Sequence, residues 1–415
     1  MPRPNPTDAS TVRILIVTQY FWPESFRINT LAESLATAGA EITVLTAQPN
    51  YPEGAIFPGY RAAAFGRDRY ADRIDVLRVP IFPRGRGGAL RLFANYLSFI
   101  FTASLCGPLV LRGRPFDVIF VYGASPILQA IPAMVLKRIK GAKLVTWVQD
   151  LWPESLQHTG FVRNRSVLKA VGCAVNAIYR DCDLLLGQSQ AFVHSLGKRA
   201  GRTPVEYYPN PGEADFSQGK LQEPPAIILP PGFNVVFTGN LGTVQALETV
   251  LDAFTLLRDD GQARLVLVGS GSRSSWLAKE VRTRGLKNVL LPGRVHPRAI
   301  PSILAQASAT LVSLAKGEIL SQTIPTKIQA YFACGRPILA SLDGEGANLV
   351  TTAGAGLASP AEDADELARN VRRLMAMEAH ERVRMGEAGR IFFEQHFLPD
   401  VLAERLLNRL RLLIA

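Results

Sequence analysis

The chain is expected to be an α/β protein of two doubly wound, parallel-sheet (Rossmann-like) domains facing a cleft. Three observations predict this. Short apolar, β-branched runs alternate with helix-patterned segments along nearly the whole length, the pattern of parallel strands covered on both faces. The alternation stops at Pro209-Asn-Pro-Gly212, passes through Pro224, Pro225, Pro230, Pro231 and Gly232, and then starts afresh. A length of 415 residues also suggests more than one core.

Residues 1–10 lack the apolar core of a signal peptide and read as a disordered lead. Val12–Thr18 is the first strand, followed by a helix from about Ile28 to Ala38 and a strand at Glu41–Leu45. Val76–Phe82, Asp117–Tyr122, Lys143–Val148 and Leu184–Gly187 supply later strands of a first domain spanning 11–208. Residues 209–232 form a linker. Strands starting at Phe233, Ala263, Val289, Ala309 and Pro337 build a second domain over 233–394, and 395–415 closes the chain as a helix.

Leu92–Leu111 interrupts this scheme. It has twenty residues, none charged, between Arg91 and Arg112, which is long and apolar enough to span a bilayer. Asn95, Ser98, Thr102, Ser104 and Gly107-Pro108 break it, and strands lie on both sides of it. A core helix or a membrane-grazing helix is therefore expected rather than a span.

The net charge of +11 implies an anionic partner. No dense Lys/Arg run, helix-turn-helix or zinc-finger pattern is present, so nucleic acid is not expected. Cys106, Cys173, Cys182 and Cys334 form no CxxC and read as free core thiols of a reducing compartment. The five histidines have no metal-ligand spacing, so neither a metal nor another cofactor is expected.

Candidate chemistry sits at strand ends, where open α/β sheets bind ligands. Thr323–Leu339 reads as a loop, a helix started at Pro325, a stop at Gly335 and a buried strand. Lys327 falls in the first turn of that helix, fit to hold a diphosphate. Gly239-Asn-Leu-Gly242 and Gly269-Ser-Gly271 follow two strands and would let backbone N–H groups approach phosphate; neither is a Walker or dinucleotide motif. In the first domain, Gln149-Asp150-Leu-Trp-Pro-Glu154 and Gln19-Tyr-Phe-Trp-Pro-Glu24 end strands with carboxylates beside aromatic rings. Asp150 there is either a helix cap or a group that meets a sugar hydroxyl or a proton.

Taken together, Ile14–Glu24, Asp150–Pro153, Tyr208–Pro211, Gly239–Gly242, Val268–Gly271 and Ile324–Pro337 resemble the GT-B glycosyltransferases of family 4, on the exopolysaccharide, O-antigen and colanic-acid branch. The resemblance spans nearly the whole chain. It implies retaining transfer from a nucleotide-sugar, usually to a lipid-linked saccharide on the inner face of the cytoplasmic membrane. It implies a C-terminal helix near Asp400–Leu413 that returns to the first domain. It assigns Asp150 and Glu154 to catalysis, Gly239, Asn240, Gly242, Gly269, Gly271, Arg294, Gln322 and Lys327 to the donor, and Gln19, Glu24 and Arg27 to the acceptor side. The family's paired glutamates fall on Gln322 and Ala330, and its phosphate-binding arginine and lysine on Asn240 and Gln245. Lys327 and Arg294 are then left to carry the diphosphate charge. Two alternatives keep the fold: a nucleotide-sugar 2-epimerase, and an inactive partner subunit.

Overall fold

The computed structural model describes residues 11–85, 88–158, 164–212 and 227–415. The expected lead, residues 213–226 of the expected linker, and Arg86 lie outside them. The chain divides into two compact units. One runs to Pro209 and takes back Pro399–Ala415; the other is Asn210–Leu398.

Among the described residues the first unit has an eight-stranded sheet of β1 (Arg13–Val17), β2 (Glu41–Ala47), β3 (Gly66–Tyr70), β4 (Ile74–Val79), β5 (Val118–Gly123), β6 (Lys143–Val148), β7 (Leu184–Gly187) and β8 (Val205–Tyr207). Their order is β3-β4-β2-β1-β5-β6-β7-β8, and only the β3–β4 pair is antiparallel. Its helices are α1 (Arg27–Thr37), α2 (Ala89–Val110), α3 (Ile131–Lys140), α4 (Glu154–His158), α5 (Arg165–Asp181) and α6 (Gln190–Ala200). Alternate β1 residues feed opposite cores, as a doubly covered sheet requires. Ile14 and Ile16 pack with α1, whereas Leu15 and Val17 join Phe99 of α2, Ala133 of α3 and Val175 of α5.

The second unit has a six-stranded, all-parallel sheet: β9 (Phe233–Asn240), β10 (Ala263–Ser270), β11 (Val289–Gly293), β12 (Ala309–Ser313), β13 (Ile338–Ser341) and β14 (Gly356–Ser359), in the order β11-β10-β9-β12-β13-β14. Around it lie α7 (Leu247–Leu256), α8 (Ser274–Thr283), α9 (Ile300–Leu304), α10 (Glu318–Gln322), α11 (Thr326–Ala333), α12 (Glu345–Thr352), α13 (Ala364–Ala376) and α14 (Ala379–His396). Ile328, Tyr331 and Phe332 of α11 are fully buried, and Gly335 ends that helix at φ +61°. A 3₁₀ turn at Thr243–Gln245 meets α7 through Ala246, whose φ is +45°. The last helix, α15 (Pro399–Ile414), belongs to the first unit. Its Leu402, Leu406 and Leu410 share a core with Ile28 and Leu31 of α1, and Ser34 donates to Asp400 at 2.7 Å.

Two expectations need correction. The Leu92–Leu111 segment is not a core helix. Asn95, Phe99 and Ala103 of α2 are fully buried, but Leu90, Phe93, Leu97, Phe101, Leu105 and Leu109 on its other face are exposed. The segment is uncharged throughout, yet only one face has a core to enter. Cys173 is likewise no core thiol: it is exposed, because α5 buries Gly172, Val175, Ile178 and Tyr179 and turns Cys173 outward. Cys106 is half-buried, and Cys182 and Cys334 are buried.

One buried cation ties the strand ends of the first unit. Arg78 on β4 has no exposed surface; it pairs with Asp68 of β3 and donates to the carbonyls of Ala47 and Trp22. Removing one partner of a buried pair leaves the other charge uncompensated, so Arg78→Met should cost about 3–5 kcal/mol in denaturant unfolding. A loss below about 1 kcal/mol would show that packing alone holds these strands.

Candidate functional site

In each unit the candidate residues gather at the carboxyl edge of the parallel sheet. In the first unit, β1 leads into Gln19 and Glu24, β2 into Asn50, β5 into Ser125 and β6 into Asp150. Glu24 is buried and accepts backbone N–H bonds from Asn50 and Tyr51, each at 2.8 Å, and from Phe21 at 3.2 Å. Burial pushes its carboxyl up to about 7, against those three donors and the nearby Arg78 charge. Gln19 is also buried. Its amide nitrogen donates to Asn95 of α2 at 2.7 Å, and its backbone N–H donates to Gln129 at 2.8 Å. Asn95 in turn donates to the Phe82 carbonyl at 2.7 Å and to Asn50 at 3.3 Å. The structure thus brings Gln19 and Glu24 together as braces of the loops. Asn50, Asn95 and Gln129, the other members, carry no motif that sequence reading could find.

Asp150 is partly buried. Burial raises its carboxyl above the ordinary range, and a backbone N–H bond from Ser125 opposes this. Its charge acts on the phenols of Tyr96 and Tyr122, and the Arg27 charge also reaches Tyr122. Asp150 therefore belongs to a polar cluster with Ser125, Tyr96 and Tyr122. Glu154 opens α4 and pairs with Arg199 of α6, and its charge and that of Asp150 both reach the Tyr179 phenol. In the loops after β1 and β2, Tyr20 stacks on Phe26 and Tyr51 is tilted against both, with ring centres 5.2–5.5 Å apart, and the Arg84 guanidinium lies 5.3 Å from the Tyr51 ring centre.

In the second unit Lys327 is the centre. It sits in the first turn of α11, and its ammonium lies 3.9 Å from the ring centre of Phe237. It makes no hydrogen bond or ion pair among the described residues. Burial pulls its pKa down to about 8. Gly239 makes room for it: a Cβ there would come within 2.9 Å of the lysine Cε. Gly269 faces Gly239 in register, and a Cβ on it would fall 1.8 Å from the Gly239 carbonyl oxygen. Both take positive φ, so this close approach of β9 and β10 requires glycine.

The amides expected to meet phosphate are already engaged. The N–H of Gly242 donates to the Gln245 side chain at 2.9 Å, and that of Gly271 donates to Ser274 at 2.8 Å. These loops are shaped by their own side chains, and Asn240 packs between Gly242 and Gly271. Arg294 follows β11, is exposed, and has no ion pair among the described residues. Gln322 ends α10, one loop before Lys327. Phe237 is the residue that sequence reading missed; inside a buried strand its ring is indistinguishable from core. Among the described residues no group of His, Cys, Asp and Glu could hold a metal.

Two doubly wound units, each with polar residues at the carboxyl edge of its sheet, define the architecture of a GT-B glycosyltransferase. Family profiles match both: a glycosyl transferase 4-like domain over residues 25–211 and glycosyl transferases group 1 over 232–377. The chain belongs to this glycosyltransferase family. It is 23% identical over 384 residues to WcaI of Escherichia coli K12, described as a colanic acid biosynthesis glycosyl transferase, with 89% of this chain and 92% of that protein covered. Among solved structures it is similar to sucrose-phosphate synthase of Thermosynechococcus elongatus (TM-score 0.70, 17% identity, 97% and 99% covered). It is also similar to Anabaena HepE in complex with UDP and glucose (TM-score 0.62, 16% identity, 96% and 99% covered).

Lys327 supplies a prediction with a sign. In the empty site the lysine loses its proton near pH 8, and only the ammonium attracts diphosphate. Titration calorimetry with UDP should show affinity falling by up to tenfold per unit above about pH 8. Lys327→Ala should weaken binding by about 1.5–3 kcal/mol and flatten that profile. Unchanged affinity in the folded variant would remove Lys327 from the site.

Proposed function

We propose that the protein is a retaining glycosyltransferase that moves a sugar from a nucleotide-sugar to a lipid-linked saccharide in cell-surface polysaccharide synthesis. The observation that carries this reading is Lys327: a cation at the carboxyl edge of the second sheet, without a counter-charge, seated on a ring and given room by a glycine. Such a group suits a nucleoside diphosphate. Membership of the family, the likeness to WcaI and the UDP and glucose bound by HepE support the same chemistry. The two glycosyltransferase profiles give no support to the 2-epimerase alternative.

In this reading the anomeric carbon–oxygen bond to the diphosphate breaks while the acceptor hydroxyl oxygen bonds to the same carbon on the same face. The acceptor's proton passes to an oxygen of the leaving diphosphate. Lys327, assisted by Arg294, stabilises the charge that grows on that group. Asp150 receives hydrogen bonds from sugar or acceptor hydroxyls and orients them. No metal or other cofactor takes part. Gln19 and Glu24 hold the loops of the acceptor side in shape. The protein works at the inner face of the cytoplasmic membrane, where a lipid-linked acceptor resides.

Incubation with a panel of nucleotide-sugars, with and without a polyprenyl-diphosphate-linked sugar, tests the reading. Acceptor-dependent release of nucleoside diphosphate with retained anomeric configuration is expected. Epimerisation without acceptor would overturn it. In the same assay Asp150→Asn should lower turnover at least about tenfold, near 1.4 kcal/mol of barrier, with little change in melting temperature. Full turnover by a destabilised variant would reduce Asp150 to a structural role.

A further inference from the structure

We propose that the outer face of α2 is a docking surface for an anionic lipid bilayer, with the helix lying in the plane of the interface. The purpose of docking rests on the glycosyl-transfer reading above, but the observations behind it do not.

The first observation is a continuous apolar stripe. Leu90, Phe93, Leu97, Phe101, Leu105 and Leu109 recur at steps of three and then four residues, which keeps them on one side of a helix. All are exposed, Phe93 at 58% and Phe101 at 66%. The helix is 22 residues long, or about 33 Å at 1.5 Å per residue. A stripe of that length is larger than the scattered apolar residues of an ordinary surface.

The second observation is charge. Between Asp75 and Asp117 the chain has no acidic residue but six arginines. Arg78 and Arg114 are neutralised by Asp68 and Asp75. Arg84, Arg91 and Arg112 have no carboxylate partner among the described residues. Arg91 and Arg112 are exposed at the two ends of α2, so the stripe is bracketed by cations. An apolar strip between cations complements a surface with an apolar interior and anionic headgroups. A second copy of this chain is a poorer match, since antiparallel pairing of two such helices would set arginine against arginine.

The third observation limits the depth. The inner face of α2 is fastened. Asn95 is bonded to Gln19, Asn50 and the Phe82 carbonyl, and Thr102 donates to the Pro80 carbonyl at 2.8 Å. Crossing the bilayer would strip these polar groups of their partners in hydrocarbon. Only the outer stripe is free to enter, so the helix rests on the membrane and does not span it.

Sedimentation of the full-length protein with vesicles tests this. Wild type should pellet with phosphatidylcholine–phosphatidylglycerol vesicles at low salt, less so at high salt, and should be released by alkaline carbonate. Phe93→Gln/Phe101→Gln, two outward substitutions, should lower partitioning at least about tenfold. Arg91→Gln/Arg112→Gln should lower it about fivefold per arginine and blunt the salt dependence. Both variants should keep the wild-type circular dichroism and UDP affinity. Failure of wild type to pellet, equal pelleting by the variants, or retention after carbonate would overturn the proposal. So would a wild-type dimer that the phenylalanine variant dissolves. Absence of acceptor-dependent transfer from every nucleotide-sugar of the panel would instead sink the glycosyl-transfer reading and leave vesicle binding untouched.

Discussion

A carboxylate taken out of water must be fully hydrogen-bonded or give up its charge. Glu24 meets that demand with three backbone N–H groups from two different loops. The loops after β1 and β2 are therefore fixed to each other by one side chain. Through Asn50 and Asn95 the same network reaches the inner face of α2 and the segment before it. Remove it, and several buried backbone groups would need new partners where no water can supply them. The edge of the first sheet that carries Gln19 and Glu24 takes its shape from this requirement.

Lys327 is the opposite case. It too is drawn out of water, but no anion answers it, and a ring face is a weak substitute for a carboxylate. The Glu24 charge is matched within the fold, whereas that of Lys327 has no such match among the described residues. This contrast separates the two units more sharply than their sheets do. In the first unit the Glu24 charge is met from within the fold. The second leaves a cation in reserve at the edge of its sheet.

Much of the fold was legible in the sequence because parallel strands buried on both faces are apolar throughout. Phe233–Gly239 and Ala263–Gly269 announce themselves in this way. β3 did not: Gly66-Arg-Asp-Arg-Tyr is an edge strand with one neighbour and half-exposed residues, so it has no apolar run to read. β14, a short stretch of small residues, was hidden for the same reason. At the site, Lys327 was legible because helix start and stop signals fix its position. Gly242 and Gly271 misled, since a glycine-rich turn looks alike whether its amides face a ligand or a neighbouring Gln245 or Ser274. Asn95 was visible only as an interruption of an apolar segment, because its partners Gln19, Asn50 and the Phe82 carbonyl come from distant loops.

The return of α15 to the first unit has a consequence for how the chain is made. The second unit is continuous, from Asn210 to Leu398, and can close its core as soon as it has been synthesised. The first unit cannot. The α1 side of its sheet needs Leu402, Leu406 and Leu410, which are synthesised only after the whole second unit. Until then Ile28, Leu31 and Leu35 lie open while a whole domain is translated, at about 5–20 residues per second. The order of folding thus reverses the order of the sequence. The half of the protein that begins first is finished last, and in that interval its uncovered face depends on chaperones or on chance to avoid aggregation.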